Sequence, residues 1–523
     1  MMNIITVLLT AVLSIGCPLI PRPQSSEEVG ESYRLRNDVT ISYDVRAEGP
    51  ARLLQGELLR YLGVTSILSQ SDDKEKNTVG IILRMASKGY APEQYSLSMD
   101  SDSVVITAGD KGGHVNGVMS FIQLARLSGS KAGDIVMDCW KIDDRPRYKW
   151  RGFMLDEARH FFGKEKVKQI MDWMAMYKMN RFHWHLCDEP GWRIEIKKYP
   201  RLALVGGVGE YGNPNSPSQF YTQDEIREIV SYAAERNIEI IPEIDMPGHA
   251  TAAVRAYPEF DGGGSKKRPS YTFNPGKEGT YQFLSDILAE IDVLFPSQII
   301  HLGGDEVSHA NTDWNTDTYI QSMMQREGLN SLKDVENYFC RRMADSLYLR
   351  NNMLAAWDEV AGASLDKDRT IIFFWRHDRP NMLQQALDNE YSVVFTPRLP
   401  MYFDYANDSL QVHGVPLKPW RLNPYHKVYN FEYEDFEVNF PKNAKILGVQ
   451  ANMWTERVCT EDRLDYMVFP RIAALAETAW TEKRNKDLKN FDERLKKQFE
   501  LYRKALIYFH NPFNRDENGE PMR

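Results

Sequence analysis

The sequence predicts an α/β protein, a (β/α)8 TIM barrel preceded by a small α/β domain, and three observations predict it. Eight apolar, strand-like runs recur after residue 150, most followed by a helical pattern. Polar and aromatic residues cluster at the C-terminal end of nearly every run, where a barrel of this kind collects its ligand sites. The first 145 residues keep a different rhythm of short strands, closed by the charged, proline-bearing stretch "DDRPRYKW" at 143–150. A chain of 523 residues suits one large domain plus a smaller one.

The N-terminus reads MMNIITVLLTAVLSIGCPLI. The apolar segment from Ile4 to Ile15 has the length of a signal h-region and is too short to span a bilayer, although no Lys or Arg precedes it. Ser14-Ile15-Gly16-Cys17 resembles a bacterial lipobox, with Ser where Leu is usual. The expected organisation is a leader over 1–22, a small α/β domain over 23–145 and the barrel over 146–523. The expected location is the periplasm or the outer cell surface. One reading attaches the chain to a membrane through a lipid on Cys17; the other is plain cleavage near Gly16.

In the small domain, "DVTISYDV" and "TVGIILRM" read as strands, and "YSLSMDSDSVVITA" as two strands joined at Asp100–Asp102. "GVMSFIQLARL" has helical spacing and "DIVMDCWKI" is a further strand, so one helix is expected here. No chemically suggestive cluster stands out, and the unit reads as a packing domain. The barrel strands are expected at "RGFMLD" (151–156), "RFHWHL" (181–186), "IEIIPEID" (238–245), "QIIHLGG" (298–304), "MLAAW" (353–357), "TIIFFW" (370–375), "SVVFTP" (392–397) and "ILGVQANMW" (446–454). "EKVKQIMDWMAMY" and "TQDEIREIVSYAAER" are helices between them, the second opened by a capping box at Thr222 and Glu225. Two connections, Glu189 to Tyr221 and Arg398 to Ala444, are long enough to be functional.

Composition narrows the partner. A net charge of -9 and a pI of about 5.8 argue against nucleic acid. Five scattered Cys without a C-x-x-C pair give neither a disulfide framework nor a zinc signature. Eleven Trp and twenty-six Tyr supply the flat faces that sugar rings favour, although most Trp in a large protein are core.

The first run ends near Asp156 and carries Arg151 at its start; the ends of the next three offer His183, His185 and Asp188; Glu243, Asp245 and His249; and His301, Asp305 and Glu306. Beyond them come Trp357, Asp358 and Glu359; Trp375 and Arg376; Tyr402, Phe403, Asp404 and Tyr405; and Asn452, Trp454 and Glu456. Carboxylates and several Trp in one barrel mouth suggest carbohydrate. Asp305 and Glu306 follow two glycines in "HLGGDEV". Neighbouring acids repel, so one holds its proton more tightly, and that split serves an enzyme needing an acid beside a fixed anion. A solvated loop shows the same pair without any such use.

Other candidates have plainer readings. His183-x-His185 puts two imidazoles on one face of a strand, as a metal could use, yet no strong zinc spacing accompanies them, and they read better as hydrogen-bonded supports. Asp156 suits substrate or an arginine partner equally, and Glu243 and Asp245 share that ambiguity. Trp173, Trp184 and Trp480 read as core, Asp358 and Glu359 as structural or solvated, and Cys187 as a small buried filler.

Five segments together, "RGFMLDEARHF", "FHWHLCDEPGWRIEIKKYP", "IPEIDMPGH", "HLGGDEV" and "NMWTE", resemble the family 20 glycoside hydrolases, the β-N-acetylhexosaminidases. The resemblance covers the barrel and extends to the small domain. It implies a retaining exo-hydrolase of terminal N-acetylglucosamine or N-acetylgalactosamine in oligosaccharides or glycoconjugates, needing no cofactor and no metal. In that family the attacking atom is the substrate's own acetamido oxygen. The resemblance makes Glu306 the general acid and then base, and makes Asp305 the ionised partner of the acetamido N–H. Tyr402 becomes a donor to the acetamido oxygen. Trp357, Trp375 and Trp454 become pocket walls, Arg151 a grip on the 3- and 4-hydroxyls, Asp404 and Glu456 hydroxyl binders, and Asp188 with His249 a support for Glu306. Trp420 is a candidate for the leaving-group side. A disaccharide-releasing specialist and a non-catalytic sugar-binding lipoprotein on the same fold are the alternatives.

Overall fold

The computed structural model describes residues 16–71, 79–131, 134–413 and 422–522. The apolar leader segment Ile4 to Ile15 and Trp420 lie outside the described residues. Two sheets organise the chain. The first contains β1 (Ser25–Leu35), β2 (Val39–Tyr43), β3 (Ser66–Gln70), β4 (Gly80–Met85), β5 (Tyr95–Met99), β6 (Ser103–Ala108), β7 (Gly129–Lys131) and β8 (Asp134–Asp144). Their order is β1-β8-β5-β6-β4-β2-β3, with β7 paired to β8. Two helices, α1 (Glu48–Leu62) and α2 (Lys111–Leu127), accompany this sheet, not the single helix that the sequence reading expects. The second, α2, is the expected one. In α1 the early Gly49-Pro50 reads as a breaker, yet proline is tolerated in the first helical turn, where its missing N–H has no partner to lose. The long strand β1 also escaped the sequence reading, because it is a mostly exposed edge without clean alternation.

The second sheet is the barrel. Its strands are β9 (Trp150–Asp156), β10 (Arg181–His185), β11 (Glu239–Glu243), β12 (Ile299–His301), β13 (Met353–Trp357), β14 (Thr370–Phe374), β15 (Ser392–Phe395) and β16 (Lys445–Met453). They close in sequence order, with β16 against β9, and every pair is parallel. Helices outside and packed side chains inside bury both faces, which is why these strands read as continuous apolar runs rather than as alternation. The helix α3 (Lys164–Met176) follows β9, and α4 (Gln223–Glu235) precedes β11. The capping box of α4 is formed: Thr222 Oγ1 accepts from the Glu225 N–H, and the Glu225 carboxylate accepts from the Thr222 N–H. Register then aligns one row near the C-terminal rim, with Asp156 beside His185, His185 beside Glu243 and Glu243 beside His301.

Both long connections are pinned by buried arginines. Arg193 donates to the carbonyls of Glu157, Ala158, Gly207, Gly209 and Gln219, fastening the loop after β10. Arg471 donates to the carbonyls of Phe403, Tyr405 and Asn423, fastening the loop that carries Tyr402.

The seam between the sheets corrects one expectation from the sequence. Arg151 stands at the start of β9, where the run "RGFMLD" places it, and one strand residue advances about 3.3 Å, so it lies about 17 Å from the C-terminal rim. Its guanidinium grips Glu93 of the small domain with two bonds (2.7 and 3.0 Å) and donates to the carbonyls of Lys178 and Tyr148. Arg151 is therefore a tie between domains, not a substrate contact.

Residues 17–22, which the sequence reading assigns to the leader, are stitched into the same seam. Gln123 of α2 exchanges two hydrogen bonds with the Ile20 backbone, at 2.7 and 2.8 Å. Arg494 donates to the Leu19 carbonyl, and the Arg22 N–H donates to Glu477. Cys17 is buried here, and burial pushes its thiol up to about 11. A thioether-linked lipid on this sulfur would have to leave the seam. Alkylation of the native protein should modify the exposed Cys459 quickly and Cys17 only after unfolding, and peptide mass analysis should find Cys17 unmodified. A diacylglyceryl mass on Cys17, or labelling at the rate of Cys459, is the contrary result.

Candidate active site

The site is built outward from Glu243, fully buried at the end of β11. Its carboxylate accepts from His185 Nδ1 (2.6 Å) and Trp357 Nε1 (2.9 Å), and it faces His183 Nε2 (2.9 Å) and His301 Nδ1 (3.2 Å). Burial alone would raise this carboxyl, but His185, His301 and His183 outweigh it and hold Glu243 well below the usual range. His185 responds in kind. Burial opposes its charge, but Glu243 and Asp188 raise it well above an ordinary imidazole. His183 goes the other way, down to about 4, mainly through burial, and is neutral.

From His185 the network runs to the rim. His185 Nε2 lies 3.1 Å from Asp188 Oδ2, and Asp188 Oδ1 lies 3.1 Å from His249 Nδ1. Arg159 Nη2 reaches Asp188 at 2.6 Å. Burial would raise Asp188, but Arg159 and His249 hold it well below the usual range. His249, at a left-handed φ of 52°, turns Nε2 to within 3.7 Å of Asp305 and 3.9 Å of Glu306. Burial works against its charge, yet Asp188 and then Asp305 raise it to about 9. The expected Asp188–His249 pair is thus assembled beside the two acids.

The two glycines before those acids have a steric reason. Gly303 and Gly304 adopt φ of 64° and 88°. A Cβ on Gly303 would meet Asp245 Oδ1 at 1.9 Å, and one on Gly304 would meet Val360 at 2.5 Å. The chain passes this close so that the Gly304 N–H can donate to Asp245. Glu306 itself takes a left-handed φ of 51°, a costly conformation for a residue with a Cβ. That turn sends neighbouring side chains apart, leaving the Asp305 side chain 13% exposed and that of Glu306 31% exposed.

The electrostatics of Asp305 differ from the expectation that adjacency leaves it ionised. Burial, and then Asp245, push its carboxyl well above the usual range, with His249 opposing. Its Oδ1 is buried without a hydrogen-bond partner among the described residues. A buried acceptor left unmet is costly, so this oxygen is suited to a donor brought by a ligand.

Aromatic rings form the facing wall. Trp375 and Tyr402 stack at 6.2 Å and 13°, Tyr402 and Trp454 lie 6.1 Å apart, and Trp357 and Trp454 lie 6.0 Å apart. Trp375 Nε1 donates to Glu359. Burial, and then the charge of Asp305, keep the Tyr402 hydroxyl well above its usual range, so it remains a donor. Asp404 follows on the same loop, half-buried and close enough to Tyr402 and Arg471 to act on both electrostatically. Glu456 lies 3.9 Å from Arg159, and burial raises its carboxyl.

The arginine of this rim is Arg159, which the sequence reading passed over in favour of Arg151. Besides Asp188, it pairs with Asp156 and lies 5.0 Å from the Trp454 ring. Its signal was present in "DEARHF", eight residues beyond Arg151 and just past the strand end at Asp156, whereas Arg151 begins the same strand. Asp156 takes the arginine-paired role, also accepting from the N–H groups of Ala158, Arg159 and Thr455. Asp358 is fully buried and structural, bound to Arg376 and to the Trp375 N–H. Glu359, read as structural or solvated, instead lines the mouth, with its carboxyl raised to about 8 by burial and Asp358. A cavity of about 810 Å³ extends from Glu306 past Glu359 and Trp375 to Arg398.

Two groups could offer metal ligands: His183, Glu243 and His301, and Asp188, Asp245 and His249. In the first, His301 Nδ1 already accepts from the Gly303 N–H and Glu243 from His185 and Trp357; in the second, Arg159 and His185 already stand on Asp188. Cys187 is buried filler, its sulfur accepting from the Asp245 N–H.

The chain matches the description "Glycosyl hydrolase family 20, catalytic domain" over residues 148–483 and "Glycosyl hydrolase family 20, domain 2" over residues 16–145. It is 34% identical to a β-hexosaminidase of Vibrio furnissii, covering 88% of this chain and 76% of that one. It is 32% identical to a β-hexosaminidase of Porphyromonas gingivalis, covering 92% of this chain but only 62% of that longer protein. Among solved structures, an exo β-N-acetylglucosaminidase of Vibrio harveyi bound to N-acetylglucosamine superposes with a TM-score of 0.85 at 31% identity, covering 95% and 79% of the two chains. A β-N-acetylhexosaminidase of Bacteroides fragilis gives 0.83 at 30% identity, covering 97% and 99%.

The raised His249 makes a statement about stability. An unfolded histidine titrates near 6.5, and this one titrates near 9, so the folded state binds its proton more tightly. The stabilisation is complete below about pH 6.5 and is lost as pH rises through about 9, a change on the order of 3 kcal/mol. Urea unfolding at pH 6 and pH 9.5 should show a larger loss in the parent than in His249→Gln. Equal losses would mean that the Asp188–His249 pair holds no such charge.

Proposed function

The chain belongs to glycosyl hydrolase family 20, and on that footing we propose that it is a retaining exo-β-N-acetylhexosaminidase whose substrate supplies its own nucleophile. Terminal β-linked N-acetylglucosamine or N-acetylgalactosamine in oligosaccharides or glycoconjugates is the substrate class. The observation that carries the reading is the unmet Oδ1 of Asp305, buried beside Glu306 and opposite a wall of Tyr402, Trp357 and Trp454. A 2-acetamido group brings what that oxygen lacks, an N–H.

The chemistry follows from where the protons lie. In a two-carboxylate retaining glycosidase the carboxyls flank the scissile bond about 5 Å apart, whereas neighbours on one loop reach the sugar from the same side. Glu306 gives its proton to the leaving oxygen as the acetamido carbonyl oxygen attacks C1, closing an oxazolinium ring. The attack makes the acetamido nitrogen cationic. That charge favours the Asp305 carboxylate, which accepts from the acetamido N–H, against the upward push of burial and Asp245. Tyr402 donates to the acetamido oxygen and holds it in line. Trp357, Trp375 and Trp454 enclose the methyl group and one sugar face, and they exclude water from the cyclised intermediate. Glu306, now a carboxylate, takes a proton from water, which attacks C1 and reopens the ring. Two inversions give retention. His249, held cationic by Asp188, faces the acid pair throughout and favours the anionic partner of each step.

For the sugar hydroxyls we assign Arg159, with Asp404 and Glu456, in place of Arg151. For location, the Ile4–Ile15 segment supports export to the periplasm or outer surface, with Cys17 kept as a thiol in the seam.

Glu306→Gln should lower the hydrolysis of a chromogenic N-acetylglucosaminide about 10²–10⁴-fold while still binding a thiazoline mimic of the cyclised intermediate. The matching glucoside, with hydroxyl in place of acetamido, should be a far poorer substrate for the parent enzyme. Comparable rates on the two sugars would refute acetamido participation. The two arginines should separate cleanly. Arg159→Met should reduce kcat/KM about 10–10²-fold through lost charged hydrogen bonds. Arg151→Met should lower Tm while leaving kcat/KM of the folded enzyme near the parent value, and the reverse pattern would restore Arg151 to the substrate.

A further inference from the structure

A second cavity, of about 330 Å³, lies at the seam far from the chemistry. It is bounded by Arg60, Tyr61 and Leu62 at the end of α1, Arg126 in the last turn of α2, Gln169, Asp172 and Trp173 of α3, and Lys504, which ends the C-terminal helix Leu488–Lys504. Arg126 is the unusual member. It is 7% exposed, and its guanidinium lies 4.0 Å from the Tyr61 ring and 5.5 Å from the Trp173 ring. Among the described residues its side chain makes no hydrogen bond and no ion pair. Guanidinium stays charged in proteins, so a buried one needs its donors met. Burial pulls its affinity for protons down, and Tyr61, Tyr177 and the more distant Glu57 carboxylate only partly oppose that.

The charges around it do not supply that partner. Asp172 is committed to Arg60 at 2.6 Å and to Arg236 at 2.8 Å. Glu57 pairs with Arg236 at 3.1 Å. Lys504, exposed at the rim, has no carboxylate within reach among the described residues. The Gln169 carbonyl oxygen accepts from Lys166, which leaves its amide N–H groups to offer. Three helices end here, and their carbonyl ends favour cations in the last turn. That accounts for the presence of Arg126 and Lys504. It does not satisfy the N–H groups of Arg126, since no carbonyl accepts from them. Two aromatic rings fix the plane of the guanidinium, so its fork is held ready, as bidentate recognition of an oxyanion requires.

We infer that this seam cavity is a binding site for a tetrahedral oxyanion, sulfate or phosphate, either free or as a substituent on a glycan, gripped by Arg126 and Lys504. An anion seated there would touch α1 and α2 of the small domain and α3 and the C-terminal helix of the barrel at once, fastening the two sheets together. The site would stabilise the enzyme rather than take part in its chemistry.

The test uses the full chain. Sodium sulfate and sodium phosphate should raise Tm saturably above sodium chloride at matched ionic strength, and titration calorimetry should detect one site. Arg126→Met should weaken sulfate binding about 10-fold or more, and Lys504→Ala, a surface change that the fold tolerates, should weaken it several-fold. Neither should alter hydrolysis of a small chromogenic substrate. A sulfated disaccharide that binds about 10-fold tighter than sulfate identifies a glycan-borne group, and equal or weaker binding identifies the free ion. If Arg126→Met does not fold, Lys504→Ala and an anomalous signal from selenate soaked into parent crystals decide the matter. Sulfate acting no differently from chloride, or both variants binding sulfate like the parent, would overturn the proposal. Because the outcomes that overturn the proposal are read from sulfate binding and Tm rather than from turnover, failure here would leave the hydrolase reading untouched.

Discussion

A carboxylate with no access to water must be balanced by the protein around it, and Glu243 is balanced by three histidines and a tryptophan drawn from four other positions on the barrel. That requirement organises the whole rim. It keeps His185 cationic, which gives Asp188 one donor, while Arg159 and His249 give it others. The same Glu243 fixes the Trp357 indole, so one buried charge sets both the polar file leading to the acids and the position of an aromatic wall. Charges alternate along the file, and each is stabilised by the next. Removing one member would leave its neighbours buried and unmet, which costs far more than the pair contributes.

The loop of Asp305 and Glu306 carries the opposite kind of constraint, steric rather than electrostatic. Gly303 and Gly304 let the backbone pass within contact of Asp245 and Val360, and Glu306 accepts a strained left-handed turn so that it and Asp305 can diverge. Asp305 is left with an unmet oxygen among the described residues and a carboxyl that burial and Asp245 push well above the usual range. In the proposed reaction both penalties are relieved by a group that donates an N–H and then becomes positive. Such an arrangement suits a charge that develops during the proposed reaction better than a fixed neutral partner.

The small domain takes no direct part in that chemistry, yet it is bound to the barrel by charged ties as well as by packing. Glu93 receives Arg151 in two hydrogen bonds, Gln123 clasps the strap at Ile20, and Arg494 holds Leu19. These contacts lie at the opposite end of β9 from the acids. Rigidity at the lower end of the strands keeps the rim in register, because the row Asp156, His185, Glu243 and His301 depends on strand alignment to a single residue.

The eight apolar runs, the helices between them, the capping box at Thr222 and the acids after Gly303-Gly304 could all be read from the residues, since each is a local consequence of periodicity or backbone freedom. The helix α1 and the edge strand β1 could not, because a proline early in a helix and an exposed strand both weaken the local signal. The sequence alone therefore determined the barrel, the family resemblance and the pair Asp305-Glu306. Only the tertiary structure decided that Arg151 serves the seam while Arg159 serves the rim, that Cys17 is inside, and that Asp305 rather than its neighbour bears the heavier cost of burial. The physical reason is common to all three. Which partners and charges surround a side chain is set by segments distant in the chain, and no local pattern carries that information.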